Sequence, residues 1–94
     1  MSASDRIERM RSRLHAALRP TVLDVVDESH LHAGHAGARS GRGHYRLRIV
    51  SREFEGLLPL ARHRAVYEAL GDMMQTDIHA LSIQALTPEE TQPR

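Results

Sequence analysis

Apolar residues recur along this chain with two different periods, and the switches between them divide it into five elements. Ile7, Met10, Leu14 and Ala17/Leu18 follow helical spacing, with Arg6, Glu8, Arg9 and Arg13 on the other side. Ser4 fits an N-cap, Asp5 the first turn, and Pro20 ends the helix. Thr21 to Glu28 is rich in β-branched residues and reads as a strand. From His44 to Ser51 the pattern alternates: Tyr45, Leu47 and Ile49 point one way, His44, Arg46 and Arg48 the other. That strand has one buried face and one wet, basic face. Phe54 and Gly56 mark a turn, and Pro59 opens a second helix over about residues 60–75, with Val66, Tyr67, Leu70, Met73 and Met74 as its apolar stripe. Ile78 to Leu86 is a third strand closed by Thr87-Pro88, on which His79, Leu81, Ile83 and Ala85 share a face.

The order helix, strand, strand, helix, strand predicts an α+β fold. Adjacent strands pair antiparallel, and the helical crossover brings the third strand into a three-stranded mixed sheet. Helices cover one face, giving a two-layer sandwich. The 94 residues make one domain, with an ordered core over about 5–88, a flexible loop at 29–43 and a frayed tail at 89–94.

Composition narrows the chemistry. The chain has no Cys, which excludes disulfides, thiolate catalysis and any all-Cys metal centre. Its formal net charge of +1 is too small an excess to single out a nucleic-acid binder. No apolar run approaches a membrane span. Asp5 and Glu8 do not suit an organelle address, so a cytoplasmic protein is expected. No nucleophile–base pair, phosphate loop or cofactor fingerprint marks an enzyme, and Asp27 and Glu28, as strand neighbours, point to opposite faces.

The connection between the first two strands, Ser29 to Gly43, far exceeds the two to five residues of an ordinary hairpin. Leu31 is its one large apolar residue, so little burial offsets the roughly 1–2 kcal/mol per residue needed to order its backbone. Either it is a surface loop with His as polar filler, or it is a site completed by a metal or a partner. His30, His32 and His35 lie close together, and neutral imidazole ligates zinc, iron and copper, but the spacing fits no closed four-ligand zinc motif. His79 reads either as a core histidine satisfied by one hydrogen bond or as a ligand at the sheet end. His63, between Arg62 and Arg64 in the first turn of the second helix, reads as a packed contact or as a ligand or interface residue. His44, on the wet face, reads as solvated.

Taken together, Asp27-Glu28-Ser29, the loop HLHAGHAG, the run from Tyr45 through Ser51 to Phe54-Glu55-Gly56, Arg62-His63-Arg64 with Tyr67, and Ile78-His79-Ala80-Leu81 resemble the BolA family, over about residues 7–88. The resemblance implies a fold similar to a type II KH domain, in agreement with the predicted element order. It also implies pairing with a monothiol glutaredoxin and a [2Fe–2S] cluster shared across the heterodimer, the chain being monomeric alone. On that pattern His35 from the loop and His79 from the third strand are the ligands, with His32 the rival in the loop. The partner brings a Cys and a bound glutathione thiol, and Arg62, His63 and Arg64 form an interface element. A chain without thiols suits this division, since two imidazoles can replace two thiolates on one iron.

Two other functions compete. Some BolA-like proteins are held to be DNA-binding regulators. Arg46 and Arg48, with Arg62, Arg64, Arg39 and Arg42, offer phosphate contacts, although a KH-type GXXG loop is missing and aromatics for stacking are scarce. A plain zinc site in the His loop would need no thiol partner.

Overall fold

The computed structural model describes residues 3–32 and 41–93. Helix α1, Ala3–Leu18, buries Met10, Leu14 and Leu18, as its spacing predicts. It ends where Arg19 turns into the left-handed region at φ 44° and donates its N–H to His15 O at 3.1 Å, after which Pro20 cannot continue the ladder.

Strands β1, Val22–Asp27, and β2, Gly43–Val50, pair antiparallel from Val22↔Val50 to Asp27↔Tyr45. Helix α2, Pro59–Leu70, carries the chain back so that β3, Ile78–Leu86, joins β2 in parallel, in the sheet order β1-β2-β3. This is the expected mixed three-stranded sheet. Leu23, Tyr45, Leu47 and Ile49 face the helices and meet Met10, Leu14, Phe54, Val66, Leu70 and Met73 in one core.

The second helix is not the continuous element predicted over 60–75. Gly71 takes φ 57°, a conformation that costs a residue with a Cβ, and breaks it before the short turn α3, Met73–Thr76. Arg13 fastens the break to α1, donating from one guanidinium nitrogen to Leu70 O and to Asp72 Oδ1, both at 2.6 Å. The charge and hydrogen bonds of Arg13 hold the exposed Asp72 carboxyl below its usual range. The stripe also shifts: Val66, Leu70 and Met73 are buried, but Tyr67 is exposed.

Part of the tail predicted to fray at 89–94 is bonded back to the fold. Glu89–Thr91 forms a 3-10 turn, and Glu90 receives Arg62 Nη1 at 2.6 Å and the backbone N–H of Thr87 at 2.8 Å. Arg62 also donates to Leu57 O and Ala85 O, so it stitches α2, β3 and the C-terminal turn together.

Candidate metal-ligand site at one end of the sheet

Antiparallel β1 ends where β2 begins, and parallel β3 begins beside it. Three strand ends therefore meet at one rim of the sheet, and the long connection leaves and returns there. Its first residues are fixed locally. Asp27 Oδ1 accepts the Ser29 N–H at 2.9 Å, Ser29–His32 winds a 3-10 turn, and Ser29 Oγ accepts the His44 N–H at 3.1 Å. Glu28 donates its N–H to His44 O at 2.8 Å. The Asp-Glu-Ser segment is thus a bracket holding the loop's base against the start of β2.

The returning end is held too. Arg42 Nη2 donates to Met74 O at 2.9 Å and to Ile78 O at 2.8 Å, so this guanidinium is used inside the fold, which weakens its part in the competing DNA-binding reading. Gly43 passes under the Tyr45 ring so closely that a Cβ would lie 2.5 Å from the ring edge. Burial pushes the Tyr45 hydroxyl pKa up, with Arg6 opposing that shift.

Asp77 anchors the start of β3. It sits nearly buried against Arg6 (3.7 Å) and Arg9 (3.0 Å) of α1, and its carbonyl accepts the Gly43 N–H at 2.9 Å. Ile78, opposite Gly43, is fully buried, yet the next register pair is His44↔Ala80. His79 is the surplus residue of a β-bulge. The expectation that it heads the apolar row of Leu81, Ile83 and Ala85 is corrected here. Those three are partly buried against the core, while His79 is exposed. The bulge leaves its imidazole at the rim, against the ring of His44, with centroids 5.1 Å apart and planes inclined by 46°.

His44 also departs from expectation. Strand alternation puts it on the wet face, but it is only 8 % exposed. Sequence reasoning missed the His44–His79 pair. The available signal was Ile78, a large apolar residue out of phase with Leu81 and Ile83, as a bulge requires.

Of the other expected residues, His30 is exposed in the turn at this rim, and His35 and the side chain of His32 lie outside the described residues. Arg62-His63-Arg64 is not brought to the rim. Arg62 binds Ala85 O near the far end of β3, with its side chain largely buried; His63 is half-buried and Arg64 exposed. On the open face of the sheet Arg46 pairs with Glu28 at 3.5 Å, and Arg48 stands opposite Asp24 in register, so carboxylates offset the basic row. Among the described residues no cluster of three or more His, Asp or Glu could close a metal site alone.

The model of the family described as BolA-like protein matches residues 14–90, which include His44 and His79. The chain belongs to the BolA-like family. It is 42 % identical over 90 residues to Arabidopsis thaliana protein BOLA1, chloroplastic, covering 93 % of this chain and 56 % of that protein. This BolA-like chain therefore spans little more than half the length of that relative. Over 83 residues it is 40 % identical to the Escherichia coli DNA-binding transcriptional regulator BolA, covering 88 % of this chain and 76 % of the regulator. The solved BolA domain of Arabidopsis SufE1 superposes with a TM-score of 0.82 at 42 % identity, covering 97 % of this chain and 99 % of that one. Among the described residues of this BolA-like chain, no helix is long and apolar enough to cross a membrane.

Proposed function

We propose that the chain is a non-enzymatic cytoplasmic adaptor that docks with a monothiol glutaredoxin and shares a [2Fe–2S] cluster with it, in cluster trafficking or iron sensing. The observation that carries this reading is the exposed imidazole of His79, held by a bulge at the rim where the His-bearing loop begins and ends. The donor set fits the group. An exposed neutral imidazole is a suitable iron ligand, and a chain without Cys has to leave sulfur donation to a partner. His79 and His35 would hold the cluster on this side, with His32 as the rival in the loop. The glutaredoxin Cys and a glutathione thiol would complete it. The cluster would supply visible absorption, redox character and transferable iron, while this chain contributes a rigid seat for one ligand and a tether for the other.

Anaerobic reconstitution with a monothiol glutaredoxin and glutathione tests the reading by visible circular dichroism. His79→Ala is expected to abolish or reshape the spectrum of the complex, and His35→Ala to do so more than His32→Ala. A spectrum unaffected by His79→Ala would defeat the ligand assignment.

A second reading is a DNA-binding regulator, favoured by the similarity to the Escherichia coli DNA-binding transcriptional regulator BolA. Arg46 and Arg48 would carry its phosphate contacts, but each faces a carboxylate and Arg62 is used internally. Binding to duplex DNA should weaken steeply with salt if several phosphates are neutralised. A flat salt dependence, unchanged by Arg46→Ala and Arg48→Ala, would remove this reading.

A further inference from the structure

Strand β3 is an outer strand of the sheet, bonded to β2 along one side only. Leu86 O accepts the Ser51 N–H on the β2 side at 2.9 Å, whereas Ala85 O accepts Arg62 Nη1 on the outer side at 3.0 Å. Main-chain groups alternate sides along a strand, so Leu81 and Ile83 face outward with Ala85. Arg42 covers Ile78 O where the strand begins, and Arg62 covers Ala85 O near its end. Between these two, among the described residues, nothing in the fold takes the N–H and C=O groups of Leu81 and Ile83. Proteins blunt such edges with charges, proline or bulges. The opposite edge is blunted in this way: Arg11 Nη1 takes Leu23 O at 2.9 Å, and Asp24 and Asp27 lie along β1. Ala80 to Leu86 has neither a charged residue nor a proline, and the bulge at His79 comes before it. This edge is bare.

What lies beyond it selects an occupant. Past Leu86 a cavity of about 760 Å³ opens among Glu55, Gly56, Thr87, Glu89 and Glu90. Arg62 neutralises Glu90, but among the described residues no salt bridge engages Glu55 or Glu89, both of which are exposed. The bare edge therefore runs into an anionic end. From Ala65 to Pro93 the chain has no Arg or Lys, so a second copy laid antiparallel through its own β3 brings no such cation there.

We propose that the outer edge of β3 docks an extended segment of a partner protein, apolar at alternate positions and basic at the end that reaches Glu55 and Glu89. The segment adds antiparallel, the better paired orientation, which puts its basic residues at its N-terminal end. Main-chain bonds to Leu81, Ile83 and the Ala85 N–H hold it, and the carboxylates fix its direction. Its apolar side chains cover Leu81 and Ile83, which the core leaves partly exposed. Neither the His-bearing loop nor an imidazole takes part, so this docking stands apart from the shared cluster.

The test uses the isotope-labelled full chain and two capped peptides, Arg-Arg-Val-Thr-Val-Thr-Val and its twin with Glu in place of both Arg. Amide chemical shifts and hydrogen exchange are the readouts. In the free chain the Leu81 and Ile83 amides are expected to exchange fast beside the protected amides of Ser82 and Gln84. The basic peptide should shift and protect Leu81, Ile83 and Ala85, and bind at least about tenfold more tightly than its acidic twin. Glu55→Gln combined with Glu89→Gln, at exposed positions, should erase that preference. Ile83→Pro removes an outward N–H and no bond to β2, and should abolish binding of both peptides. The carboxylate variant keeps the test decisive even if Ile83→Pro fails to fold. Equal affinity for the two peptides, or shifts that bypass β3, overturns the assignment. So does protection of the Leu81 and Ile83 amides without peptide in a chain that sediments as a dimer, since a second copy then occupies the edge. Cluster sharing is read separately, by the spectrum of His79→Ala.

Discussion

The two rims of the sheet are built from the same strands and use their polar groups in opposite ways. At the far rim, side chains are turned inward to close the fold. Arg62 ties Leu57, Ala85 and Glu90, the Ser51 hydroxyl reaches Leu18 O at 2.5 Å, and Phe54 is completely buried beneath them. At the near rim, Asp27, Ser29, Arg42 and Asp77 spend their hydrogen bonds on bracketing the backbone, which leaves an imidazole facing outward. One rim holds the molecule together. The other holds a donor out.

The largest expected effect breaks the closing rim. Phe54→Ala removes a fully buried ring and should cost about 3–5 kcal/mol in urea unfolding, which the few aromatics of this core cannot make good. Next comes the donor rim. Gly43→Ala drives a methyl into the Tyr45 ring and should cost about 1–3 kcal/mol by overpacking. Because the strain lies beside His44, the same variant should perturb the His44 and His79 imidazole resonances. Unchanged resonances would show that the bracket is more tolerant than its geometry implies.

A smaller pair of changes splits the Arg-His-Arg segment. Arg62→Ala should destabilise by about 1–3 kcal/mol by orphaning carbonyls, whereas Arg64→Ala should stay within about 0.5 kcal/mol. If the two variants prove equal in unfolding, the inward role of Arg62 is wrong.

The smallest effect is one of pH. Hydrogen bonds from Arg62 and the Thr87 backbone lower the pKa of the exposed Glu90 carboxyl to about 2. Its contribution to stability is thus present above the ordinary glutamate value and is lost as pH falls from there through about 2. Urea midpoints compared at neutral and acidic pH should show part of the acid loss in the parent chain missing in Glu90→Gln. Added salt should shrink that difference, since the group is exposed.

How far the molecule could be read from its residues differs between the rims in the same way. Periodicity found α1, the strands and the mixed sheet because alternating and helical burial leave a direct trace, as in Met10-Leu14-Leu18 and Tyr45-Leu47-Ile49. Periodicity alone runs the second helix past Gly71, since a backbone break leaves composition unchanged, and it counts Tyr67 in the stripe although this residue flanks the buried Val66 and Leu70 and is exposed. Arg62 was grouped with its neighbours as surface because a charged side chain satisfied by carbonyls looks the same in sequence as a solvated one. Alternation places His79 in the apolar row and His44 in solvent, and it fails at both for one reason. Both depended on an unpaired residue in β3, and strict alternation has no place for one.

That surplus residue has a further consequence for how such a molecule can diverge. The position of His79 is set by register with β2 and by the anchors on Asp77 and Ile78, the latter supplied by Arg42 at the returning end of the segment joining β1 to β2. Lengthening, shortening or rewriting that segment between Ser29 and Arg42, with both brackets kept, would leave the donor where it is. The scaffold can therefore be refitted to a new neighbour through the loop alone, with one coordinate of the contact already settled.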